Sequence, residues 1–129
     1  MLFSQTHNTQ LTKREIYINA VGDWQRRQRF TLFGTATFEH KNTFSKEKVI
    51  KTCSYFLNAL DRKIYTHKEV LSGNRIERFV YIEGGKDRDN LHMHYFCKGE
   101  TLKETHNIIK HANFLWNEKV HKANNMKIL

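Results

Sequence analysis

Val49, Ile50, Cys53, Phe56, Leu57, Leu60 and Ile64 recur at intervals of three and four residues, the spacing that lays one apolar stripe along an α-helix. Asn42-Thr43 supplies side-chain acceptors to open that helix. A second helical pattern follows Thr101-x-x-Glu104, with Leu102, Ile108, Ile109, Ala112, Leu115 and Trp116 on one face. A third stands near the start, where Thr12-x-x-Glu15 has the capping-box form and the helix is expected to run to about Arg27. Between these lie runs rich in β-branched and aromatic residues, which predict strands over Thr31–Phe38, Ile76–Glu83 and Leu91–Cys97. Thr66 to Asn74 reads as a loop or loose hairpin. Ala123-Asn124-Asn125 reads as a turn, and Met126 to Leu129 as the start of a last strand. With no proline in the chain, glycine and turn chemistry must end the elements.

Behind the leading helix the order is β-α-β-β-α-β. The expected class is therefore α+β: a ferredoxin-like antiparallel sheet with its helices on one face and an additional N-terminal helix. One domain is expected, a helical lead over 1–29 and a ferredoxin-like core over 30–129. Strand side chains alternate between faces. Val80, Ile82, Leu91, Met93 and Tyr95 should meet the helices. Glu83, His92 and His94 should lie on the open face with Phe79, Tyr81 and Phe96, and with Thr31, Phe33, Thr35 and Thr37 of the first strand.

Lysine and arginine number 22 against 13 acidic residues, a net charge of +9. Such a field favours a polyanionic partner, nucleic acid first. A membrane surface is disfavoured, because no basic helix has a strong apolar face, and no run is long enough to span a bilayer. The first residues lack a signal-peptide pattern. Cys53 and Cys97 have no zinc spacing and fall in apolar segments, as reduced core thiols of a cytosolic protein would.

The residues that carry chemistry are His92 and His94, two apart on one strand and so on one face. Glu83 ends the preceding strand, and the turn-rich stretch Gly84 to Asn90 separates it from the pair. Two imidazoles and a carboxylate at the mouth of a hairpin make a donor set for a divalent cation. In a chain of eight histidines a lone His-x-His pair is a common accident. Its context in a strand, beside a carboxylate and in a basic chain, gives it weight. Arg26, Arg27 and Arg29 beside the first strand, and Lys86 and Arg88 in the hairpin loop, suit phosphate contacts. An open face of rings and threonines suits stacking of single-stranded bases. Trp24 and Trp116 read as core residues, and His106, His111 and His121 as surface residues.

Phe33-Gly34-Thr35-Ala36-Thr37-Phe38, His92-Met93-His94 and Glu83 together resemble the motifs of the HUH endonuclease superfamily. The closer likeness, over about residues 30–129, is to the rolling-circle replication initiators of small phages, plasmids and single-stranded DNA viruses. The resemblance implies Mg²⁺ or Mn²⁺ held by His92, His94 and Glu83. It also implies a tyrosine that attacks the scissile phosphate, leaving a 5′-phosphotyrosine and a free 3′-OH. The implied partner is single-stranded or hairpin DNA at a replication origin, with host replication machinery, in a bacterial cytoplasm. The family's third motif places its tyrosine in a helix beyond the fourth strand, whereas no tyrosine follows Tyr95 here. The expectation is a truncated or naturally short initiator domain lacking that motif. Tyr65-x-x-Lys68 has the motif's spelling but precedes the histidines, an order found in conjugative relaxases. Tyr55 lies opposite its helix's apolar stripe, Tyr95 alternates away from the metal, and Phe114 falls off the core stripe. Transposases of the same superfamily share these motifs. A non-catalytic nucleic-acid-binding module of the same fold is a distinct alternative, and a two-histidine, one-carboxylate iron oxygenase a remoter one.

Overall fold

A computed structural model describes residues 10–38, 45–84, 91–120 and 124–129. Helix α1 (Lys13–Gln28) opens on the reciprocal Thr12–Glu15 capping box and ends at Arg29 in the left-handed conformation. Strand β1 (Leu32–Thr37), helix α2 (Lys46–Ile64), the single-turn helix α3 (His67–Leu71) and strand β2 (Arg78–Glu83) follow. Strand β3 (His92–Cys97), helix α4 (Leu102–Phe114) and strand β4 (Asn124–Ile128) complete the fold. The four strands form one antiparallel sheet in the order β2-β3-β1-β4, consistent with the ferredoxin-like arrangement expected from the pattern. No helix among the described residues is long and apolar enough to cross a membrane.

One face of the sheet carries the core. Leu32, Gly34 and Ala36 of β1 and Met93, Tyr95 and Cys97 of β3 are buried, each two residues from the next along its strand, as strand alternation requires. Phe56 of α2 meets Tyr95 and Trp116 with ring centroids 5.7 and 5.1 Å apart. Trp116 lies in a π-helical continuation of α4, Leu115–Val120, and its indole N–H donates to the Thr37 carbonyl at 3.3 Å. Cys53 and Cys97 are free and buried, and burial pushes both thiols up to about 12.

Gly34 is required by this packing. A Cβ there would run into the ring of Tyr95. The Tyr95 hydroxyl donates to Asn124 Oδ1 at 2.8 Å, and the Asn124 amide donates to Asn113 Oδ1 at 2.9 Å. The ring is thus tethered at its far end and cannot step aside. Gly34→Ala is expected to cost about 2 kcal/mol through overpacking, read as a lower urea midpoint with an unchanged slope. An unaltered midpoint would mean that the ring relaxes freely.

Several local expectations are corrected. The cap of α2 is Ser45, whose hydroxyl accepts from the Lys48 amide at 3.1 Å; Asn42-Thr43 lies outside the described residues. Ile50, at the flank of the stripe, is exposed, and so is Leu102, the first residue of α4. Thr66–Asn74 is no simple loop. A second reciprocal capping box, Thr66 with Glu69, nucleates α3 before Gly73, at φ 96°, ends the turn. Ile76 precedes β2 and packs in the core. Ile82 is exposed because β2 is an edge strand whose outer half, Tyr81–Glu83, faces solvent. Asn124 and Asn125 are strand residues paired with Ala36 and Thr35. Their turn propensity is outweighed by the ladder and by the side-chain bonds of Asn124. Thr31 does not join the open face. Its hydroxyl lies 2.9 Å from that of Thr105 on α4 and accepts from the Gly99 amide at 2.8 Å.

Candidate metal and nucleic-acid site

The sheet register places the singled-out residues in three rows. Thr37, His92 and Glu83 form the first, and Thr35, His94 and Tyr81 the second, joined by Asn125 of β4. Phe33, Phe96 and Phe79 form the third, with Lys127 of β4 beside Phe33. Directly opposed residues share a face, so all of these lie on the side away from α2 and α4.

Each histidine is held from the neighbouring strand. Thr35 Oγ1 lies 3.2 Å from His94 Nδ1, and Thr37 Oγ1 lies 3.2 Å from His92 Nδ1. A hydroxyl can donate or accept, so it serves either imidazole tautomer. With Nδ1 engaged, Nε2 is left as the nitrogen for a ligand, the arrangement that outer-shell partners create in metal sites. Thr35 and Thr37, expected to contact nucleic acid, are therefore first of all anchors of the imidazoles. The His94 ring stacks on Phe33 at 5.8 Å and 7°, and on its other flank meets Tyr81 at 5.0 Å.

Glu83 is on the correct face, and its Oε1 lies 3.4 Å from His94 Nε2. The carboxylate side chain is 67 % exposed and that of His94 15 %. The two imidazole rings are 5.9 Å apart. Among the described residues no three His, Cys, Asp or Glu side chains converge as a metal-holding group. The chemistry of the donor set fits a divalent cation, and the imidazoles are oriented by their threonines. Closing the set around an ion would require Glu83 to give up its direct contact with His94.

The tyrosines divide by face. Tyr95 is buried under the sheet, where burial raises its hydroxyl well above the ordinary phenol value. Tyr55 is exposed on α2, on the side away from the histidines. Tyr65 caps the C-terminus of α2. Its hydroxyl is raised by burial and then by Glu104 and Glu100, which lie at the start of α4. Neither comes to the pair. Tyr81 does, on the strand next to His94, and its hydroxyl is raised by burial and by Glu83. Of the helical histidines, His106 is exposed and His111 partly buried on α4, away from this face. His121 lies outside the described residues, as do Lys86 and Arg88.

No protein-family model, curated protein or solved structure matches the chain.

The open face is not wholly open. Trp24 of α1 rests against Phe79 and Phe30 with centroids 5.3 and 6.1 Å apart. Phe30 in turn meets Phe96 at 5.8 Å. Helix α1 thus covers the end of the face farthest from His92, although none of its residues is buried. Trp116 is fully buried, as expected, but Trp24 is 38 % exposed and belongs to this surface ring cluster instead of the core. Arg26, Arg27 and Arg29 stand exposed at the same end. Lys127 and Asn125 were not read as site residues from the sequence: Asn125 was expected in a turn, and the pairing of β4 with β1 that brings Lys127 beside Phe33 is not legible in a four-residue terminal run.

Proposed function

We propose that this chain binds single-stranded DNA along the sheet face and nicks it in a divalent-metal-dependent reaction, as a replication-initiator domain of the HUH type. The observation that carries the reading is the pair of threonine-anchored imidazoles beside Glu83, at one end of a face of rings bordered by cations. A cation held by His92, His94 and Glu83 would supply positive charge to the scissile phosphate. The rings of Phe33, Phe79 and Phe96 offer stacking surfaces, and Lys127 offers a phosphate contact. In this reading the attacking group is the Tyr81 hydroxyl, carried on the strand beside His94. Its attack on phosphorus expels the 3′-oxygen and leaves a 5′-phosphotyrosine. DNA at a replication origin in a bacterial cytoplasm is the corresponding substrate and setting.

The test is a denaturing gel of end-labelled single strands, drawn from a randomised pool and incubated with protein and Mn²⁺. Wild type is expected to form a covalent adduct. Tyr81→Phe is expected to form none while retaining its affinity for the strand. An adduct formed by Tyr81→Phe would move the attacking hydroxyl elsewhere.

A second reading rests on the contact between Glu83 and His94 and the absence of a converged donor triad among the described residues. It makes the face a binding surface without chemistry, in which the histidines are ring contacts. Strand binding with neither metal binding nor adduct would favour it.

A further inference from the structure

We infer that the cleft between the C-terminal end of α1 and the sheet is a second nucleotide subsite, taking a base of single-stranded DNA on its rings and the adjoining phosphate on Arg29. The inference rests on the proposed reading that the sheet face binds a strand. The cleft, of about 240 Å³, is lined by Arg26 and Arg29 of the helix end together with Phe30 and Phe96. Guanidinium groups and rings lining one cleft match the two chemistries of a nucleotide, a charged phosphate and a flat base.

The two arginines are not equivalent. Arg26 is ion-paired with Asp23 one turn away, which offsets its charge. Arg29 has no carboxylate partner among the described residues. It also holds φ 55° and ψ 49°, the one non-glycine residue among those described with positive φ. Glycine takes this helix-ending conformation without strain, whereas a side chain there is disfavoured. Arg29 brings a positive charge without a carboxylate partner among the described residues to the lining of the cleft.

The position also gives the strand a length. His92 and Phe96 lie four residue steps apart on β3, about 13 Å at ~3.3 Å per residue. That span matches about four stacked nucleotides at ~3.4 Å each. A strand whose phosphate lies at the histidines thus reaches the cleft only if it extends about four nucleotides beyond them. Phe79, between Tyr81 and Trp24, lies along the path.

The experiment is fluorescence anisotropy of labelled oligothymidylates, one of about four nucleotides and one of about twelve, chosen to span the face once and several times over. Arg29→Gly removes the guanidinium while relieving the left-handed strain, so its melting temperature is expected to hold or rise. Its affinity for the longer strand is expected to fall about tenfold, with the log–log salt slope shallower by about 0.7. Phe30→Leu, which keeps the apolar contact and removes the ring, is expected to weaken the same strand several-fold. Arg62→Ala, an equal loss of charge on α2, is expected to change neither. The inference is overturned if Arg29→Gly binds the longer strand as wild type does, or if Arg62→Ala weakens it equally. Wild-type binding in either case sustains the sheet-face reading. Failure of wild type to bind either strand would instead remove that reading, and the subsite with it.

Discussion

Asp61→Ala is expected to lower the stability of the fold by about 3 kcal/mol, the cost of removing one member of a buried charge cluster. Asp61 is fully buried in the last turn of α2. Its Oδ1 accepts from the Ile76 amide at 3.0 Å and from Arg78 Nη1 at 2.7 Å. Its Oδ2 makes no hydrogen bond but lies at ion-pair distance from Arg75 Nε, 3.5 Å. One carboxylate thus ties α2 to the start of β2, whose other end carries Tyr81 and Glu83. Alanine would leave the Ile76 N–H without an acceptor and the Arg78 guanidinium, whose side chain is 21 % exposed, without its counter-ion. In a domain of this length the loss corresponds to about 11 °C in melting temperature. Asp61→Asn keeps an acceptor for Ile76 and is expected to lose less. Adding Arg78→Met to Asp61→Ala should recover part of the loss, because the stranded charge is then gone. A melt of Asp61→Ala within about 2 °C of wild type would show that solvent reaches the arginines and that the cluster is not what joins these elements.

Millimolar Mn²⁺ is expected to raise the melting temperature of wild type and to leave His92→Ala/His94→Ala unmoved. A ligand at a hundred times its dissociation constant adds about 2.7 kcal/mol to the native state, or roughly 10 °C here. The double variant trims two partly buried rings on the outer face of the sheet and vacates no position of the buried core, so its metal-free melt should stay well above the range in which the Mn²⁺ shift is read. Thr35→Val/Thr37→Val keeps both imidazoles and removes the hydroxyls that hold Nδ1. Its Mn²⁺ shift should be intermediate, since outer-shell partners of this kind are worth about tenfold or more in metal affinity. No shift in wild type would transfer the histidines to the binding-surface reading and leave the strand-binding prediction standing on its own.

How much of this could be read from the chain depends on the range of the interaction concerned. Capping boxes are local, and Thr12–Glu15 was legible because both partners lie within one turn. Thr66–Glu69 has the same spelling but is followed by too short a helix to show an apolar stripe. Asp61 stands next to Leu60 in a run of charges, Asp61-Arg62-Lys63, and reads as a solvated helix end. Only the approach of Ile76 and Arg78, fifteen and seventeen residues later, makes it a buried anchor. Trp24 looked like core because a tryptophan ring is ordinarily well buried, yet what it packs on is the outer face of the sheet.

The sequence by itself determined the three long helices, the strands β1 to β3, the α+β class and the face on which the residues of those three strands fall, because periods of 2 and 3.6 are properties of a few consecutive residues. It therefore placed His92, His94 and Glu83 together on one face. The tertiary structure alone decided the pairing register. That register sets Thr35 against His94 and Thr37 against His92, and brings Asn125 and Lys127 into the same rows through β4. It also decided that α1 lies over one end of that face. Alternation is indifferent to a shift of two residues along a neighbouring strand, so the choice among such registers falls to the packing of Gly34 under Tyr95 and of the helices on the opposite side.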